Sequence, residues 1–193
     1  MKKLLFLVIL TLCIGFSLSL TLGGDKPQLD DFKLVTYDIN NNGIEISSYS
    51  TVDKNGMLKV CLKRYTDTAF YNYQLSKDEI EKINKLTSNK LQNFVIKKQL
   101  DKNYGYAGSR NYLNFKVKNR DERLCFIQPF MNPEFNEVIN LLTDKIYKQD
   151  ETALTSNFKI DFRKIKGEIL KQNEIDNYLP QKQLPPPPMR KIK

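Results

Sequence analysis

Few side chains in this 193-residue chain could do chemistry, and histidine is absent altogether. Its absence removes Ser-His-Asp triads, Cys-His dyads and histidine zinc sites. There is no G-x-S-x-G elbow and no glycine loop of the phosphate-cradling type. The carboxylate pairs Asp30/Asp31 and Asp78/Glu79 fall in a linker and at a helix start, where acids serve ordinary ends such as favouring the helix dipole. A glycosidase needs two carboxylates facing each other across a cleft, and no spacing here suggests it. The residues point away from an enzyme, and no cofactor is expected.

Three other constellations remain. Outside the first 23 residues there are two cysteines, Cys61 and Cys125. Each falls in the strand phase opposite its strand's main apolar face, at similar places in two similar units. A disulfide across the sheet is expected between them, with two unpaired thiols as the alternative. Asp38-Ile39-Asn40-Asn41-Asn42-Gly43 matches the first half of a calcium loop through Asp38, Asn40 and Asn42. Tyr49 stands where the bidentate glutamate would be required, so an Asn-rich hairpin turn is the stronger reading and no metal is expected. Tyr104, Tyr106 and Arg110 share a glycine-containing loop below Lys97, Lys98 and Lys102. Flat tyrosine faces suit stacking on sugars or bases and the planar guanidinium suits an anion, while a mobile crossover loop would use the same residues for packing.

The elements that must position these groups follow from periodicity. Phe32–Ile39 and Ile44–Val52 read as strands around the Asn40–Gly43 turn. Met57–Lys90 then runs from a hairpin into a helix: Leu58, Val60 and Leu62 alternate with polar residues, as do Ala69, Tyr71, Tyr73 and Leu75. Ser76 and Glu79 make a capping box, with Leu75 and Ile80 in the staple positions. The pattern recurs over Asn111–Lys148, where Leu113, Phe115, Val117, Leu124 and Phe126 mark two strands. Asn132-Pro133 opens a helix whose apolar face is Phe135, Val138, Ile139, Leu142 and Ile146. Phe158, Ile160 and Phe162 alternate and predict a short added strand, followed by a brief helix around Lys164–Gln172. The expected fold is α+β: an antiparallel sheet of about six strands built from two ββα units, two helices on one face, and an extended Pro-rich C-terminal tail.

Residues 1–23 read as a leader, with Lys2 and Lys3 before an apolar run and small residues that fit cleavage after Ser17 or Ser19. Leu4–Leu22 is also about long enough for an uncleaved anchor. A lipoprotein is the weakest alternative, because Leu12 precedes Cys13. All three place the rest of the chain outside the cytoplasm, periplasmic or secreted. The expected organisation is leader 1–23, linker 24–31, domain 32–150, extension 151–176 and basic tail 177–193.

The net charge is +9, but only six of the 31 basic residues are arginine. With abundant Asn and Ile and few Ala, the bias resembles the codon usage of an AT-rich genome, and nucleic acid is not an expected partner. In character the chain is similar to small secreted proteins of AT-rich bacteria, a likeness of leader, size and composition that implies no activity. The tail matches P-x-x-P-x-R at Pro185, Pro188 and Arg190, and Leu184–Pro188 resembles an EVH1 ligand. Both motifs address cytosolic partners, so a spacer is the plainer reading. The functional expectation is an exported, non-catalytic binding module of the envelope or secretome, engaging an unknown protein or glycan. The alternatives are a carboxylate-based hydrolase and a structural envelope component whose basic tail contacts an anionic surface. Membrane contact is expected only through the leader or the tail.

Overall fold

The computed structural model describes residues 29–41, 43–98 and 106–180. Its centre is one antiparallel sheet. The strands are β1 Leu29–Asn40, β2 Gly43–Val52, β3 Met57–Lys63, β4 Thr68–Gln74, β5 Arg110–Val117, β6 Arg120–Phe126 and the two-residue β7 Leu154–Thr155. They lie in the order β6-β5-β1-β2-β3-β4-β7. Three helices accompany them: α1 Lys77–Thr87, α2 Pro133–Lys148 and α3 Phe162–Ile175. The expected hairpin-plus-helix units are present as β3-β4-α1 and β5-β6-α2, but they do not adjoin. The β1–β2 hairpin stands between them, so each unit extends one side of that hairpin. A seventh strand, rather than six, closes the order.

Both predicted helix starts form as the side chains require. The Ser76 hydroxyl accepts from the Glu79 N–H, and the Ser76 N–H donates to the Glu79 carboxylate at 2.7 Å. The Asn132 side chain accepts from the Phe135 N–H at 2.9 Å, with Pro133 in the first turn. Ile83 and Leu86 of α1 and the predicted face of α2 then bury against the first face of the sheet, over Leu34, Leu58, Val60, Leu113, Phe115 and Leu124. Tyr71 donates its hydroxyl to the Ile146 carbonyl, fastening the end of α2 to β4. The pairs Lys82–Glu137 and Lys85–Glu134 join the helices but are exposed, so water and salt screen them and they add little to stability.

The second face is also covered, which the sequence pattern left open. Val35, Tyr37, Ile46, Tyr112 and Cys125 form a second core with Ile165 and Ile169 of α3. The protein is therefore three-layered, with two helices on one face and one on the other. α3 is longer than the helix expected around Lys164–Gln172. Its start is set by Asp161, whose carboxylate accepts from the Lys164 N–H at 3.0 Å.

The strand expected over Phe158–Phe162 does not form. The last pairing in this region is Ser156 N–H to the Phe70 carbonyl. Beyond it the chain lies across the second face without a ladder, with Phe158 edge-on to Phe70 at 5.4 Å and Ile160 and Phe162 packed on the second core. Alternating burial needs only an extended chain over an apolar surface, and the period-two pattern cannot tell this from a strand.

The expected leader and the tail from residue 181 lie outside the described residues, as do Asn42 and Tyr104. Among the described residues no helix is long and apolar enough to cross a membrane.

Candidate functional site

Strand register fixes what the second face presents. Reading straight across it, the pairings give Cys125–Tyr112–Val35–Tyr49–Cys61–Phe70. α3 lies over this row: Phe162 meets the Tyr49 ring edge-on at 6.5 Å, and the Ile169 carbonyl is 3.9 Å from the Cys125 sulfur. Fourteen helical residues span about 21 Å, enough to cross from β2 to β6 at about 4.8 Å per strand.

The same register corrects the disulfide. Cys61 and Cys125 share a face and a row, as their phase predicted, but β5, β1 and β2 intervene on the way from β6 to β3. Four strand spacings make roughly 19 Å, whereas bridged cysteines need Cα atoms within about 7 Å. Both are free, buried thiols. Burial pushes the Cys125 thiol up to about 12, and burial raises Cys61 against the opposing pull of Lys63. Thiols held in the protonated form are poor nucleophiles. The phase was legible in the sequence, but the strand order was not.

One row further along the strands, the second face turns polar: Arg123–Asn114–Lys33–Thr51–Lys59–Asn72. Toward β2 and β3 this half opens as a groove of about 530 Å3. Tyr49, Thr51, Val52 and Lys59 line it together with Asp31, Asp53, Lys54, Phe158 and Lys159. Its size falls in the range of small-ligand sites, and its lining is more polar than most of them.

Asp31 reaches the rim through an unusual backbone. Its φ is 61°, in the left-handed region, at the irregularity where the β1–β5 register shifts between Asp30 and Lys33. A non-glycine residue there costs on the order of 1 kcal/mol, and bulges of this kind re-aim side chains. Here the carboxylate lies 3.1 Å from the Lys33 ammonium. Burial, then the charges of Asp31 and Glu168, push the Tyr49 phenol up to about 12. At neutral pH it is a hydroxyl, and among the described residues that hydroxyl has no hydrogen-bond partner. Lys54, Lys59 and Lys159 likewise have no ion-pair partner there. The groove thus offers a donor hydroxyl, two aromatic surfaces, an accepting carboxylate and ammonium donors.

The other sequence candidates sit elsewhere. Arg110 is half-buried and donates to the Pro180 carbonyl, so its fork holds the C-terminal segment. Tyr106 is half-buried, and its hydroxyl donates to the Ser109 carbonyl at 3.4 Å. The groove and these two residues are separate places. In the turn region, Asp38 accepts from the Ile39 N–H at 2.8 Å, and Asn40 donates its amide to Glu45 at 3.1 Å. Asn40 pairs with Gly43, whose φ of 101° makes this a hairpin turn. Among the described residues no group of three or more acids or cysteines is gathered for a metal ion.

A buried polar cluster at the β6 edge was also missed. Asp176, 2% exposed, accepts from the Cys125 N–H and the Gln172 amide, both at 2.8 Å, and from Gln92 at 3.4 Å. Tyr178 donates to the Cys125 carbonyl at 3.2 Å, and Tyr37 donates to Asn173 at 2.9 Å. The C-terminal segment thereby covers an edge strand whose backbone would otherwise be open to pairing. The signal available for the groove was the polar phase of β1, β2 and β3 in Lys33, Thr51 and Lys59, which means little until register aligns it.

The chain matches no protein-family model and no characterised protein.

Proposed function

We propose that this is an exported, non-catalytic binding module whose ligand is a short glycan segment seated in the Tyr49 groove. Export rests on the leader pattern of residues 1–23. The observation that carries the ligand class is the company Tyr49 keeps. The Tyr49 hydroxyl and the Phe158 ring line the same groove as the Asp31 carboxylate and the Lys59 ammonium. Sugars present an apolar ring face to aromatics and hydroxyls that both donate and accept, and this mixture answers each.

Calorimetry against a panel of envelope and extracellular oligosaccharides tests it. Tyr49→Phe is expected to weaken binding by roughly tenfold, about one hydrogen bond in a half-buried site, and Lys59→Ala by a similar factor. Unchanged binding in both variants, with loss in Tyr106→Ala or Arg110→Ala, would move the site to the loop. The hydrolase reading draws on Asp31 and Glu168, the two acids that both act on the Tyr49 phenol. Turnover of a bound glycan that stops in Asp31→Asn and Glu168→Gln would favour it.

A further inference from the structure

We propose that the outward face of α3 is a docking surface for an anionic lipid bilayer. The helix cannot roll, because Ile165 and Ile169 are buried beneath it and Asp176 at its end is bonded to the β6 edge. On the half turned from the sheet, Arg163, Lys164, Lys166 and Lys171 are all exposed. Leu170 and Ile175 stand among them, 53% and 70% exposed. Asp161 at the helix start, Glu174 and, on the flank toward the sheet, the half-buried Glu168 offset part of the charge. Lys63 lies over the Phe162 ring at 4.8 Å, which brings the β3–β4 turn to the N-terminal end of α3. That turn carries Tyr65, fully exposed.

The combination selects the partner. An anionic polymer in water would use the cations and gain nothing from Leu170, Ile175 and Tyr65. A bilayer interface takes all three kinds of side chain: cations at the head groups, aliphatic groups at the acyl boundary, and tyrosine at the level between. Each net positive charge near an anionic surface strengthens binding about fivefold. The cations of the helix therefore act together with Leu170, Ile175 and Tyr65 rather than alone. This route is independent of the leader.

The full chain contains no tryptophan, so Leu170→Trp places a single reporter on this face. Its emission reads the local environment wherever the leader lies. With vesicles of phosphatidylcholine and phosphatidylglycerol the reporter is expected to shift to the blue and to be quenched by brominated acyl chains. With phosphatidylcholine alone it should do neither, and about 1 M salt should reverse the effect. Adding Arg163→Gln, Lys164→Gln, Lys166→Gln and Lys171→Gln to the reporter variant should weaken the response by several hundredfold, with circular dichroism confirming the fold. Leu154→Trp, on the exposed β7, should stay unshifted. An equal response to both lipids, or none to the anionic one, overturns the proposal. A blue shift with dextran sulfate, without quenching by brominated chains on anionic vesicles, assigns the face to an anionic polymer and overturns it too.

Discussion

Asp176 shows how one buried carboxylate can set a pH dependence. Burial lifts its pKa, and the donors Cys125 N–H, Gln172 and Gln92 only partly offset this, so the net direction is upward. The folded protein then holds this proton more tightly than the unfolded chain. Its stabilising contribution is complete below the ordinary aspartate range and is lost as pH rises through the raised value. Glu79 behaves oppositely. Burial raises it, but the Ser76 N–H and Lys145, 3.1 Å away, outweigh that and hold the carboxyl below its usual range. Its contribution is present above the ordinary glutamate pKa and is lost as pH falls through the folded value. Urea midpoints against pH should therefore separate two variants. Asp176→Asn is expected to be less stable throughout, but to close on the native protein as pH rises above about 4. Glu79→Gln, which keeps the capping acceptor, should lose less stability than the native protein below about pH 4.5. The cysteines give a covalent check: Cys61 and Cys125 should both alkylate on unfolding without reductant. Protection of either until a reductant is added would contradict the separation across the sheet.

At the scale of elements, local signals located the helices and turns because their causes are local. Ser76, Glu79, Asn132 and Pro133 act on backbone groups within one turn, so their spacing carries their meaning. Ser76→Ala is expected to cost about 1 kcal/mol in thermal or urea unfolding. Gly56 is a stricter case. Its φ is 76°, and a side chain there would meet the Ile80 Cδ1 at 2.4 Å, under the first turn of α1. Gly56→Ala is expected to cost more than about 1 kcal/mol; a neutral result would show that the β2–β3 turn can readjust. The Phe158–Phe162 segment marks the limit of this reasoning. Its alternation is real as burial, but the hydrogen-bond partner that would make it a strand lies in another element. β7 is the converse, two exposed residues paired to β4 with no apolar pattern to betray them.

For the whole molecule, α3 decides the architecture. It converts a two-layer protein into a three-layer one by covering Val35, Tyr37, Ile46 and Tyr112. Removal of residues 161–193 should leave that apolar face bare, read as dye binding and self-association by light scattering, while α1 and α2 keep the first core. A monomer that binds no dye would show that the first face alone suffices.

Composition, periodicity and caps were enough to determine an antiparallel sheet, helices α1 and α2 on its first face, and the phase of Cys61 and Cys125, because each depends on residues near in sequence. Only the tertiary structure decided that the β1–β2 hairpin divides the two hairpin-plus-helix units. It alone set the thiols four strands apart and aligned Lys33, Thr51 and Lys59 beside Tyr49. Those facts depend on strand order, which is set by long-range pairing that no local pattern encodes.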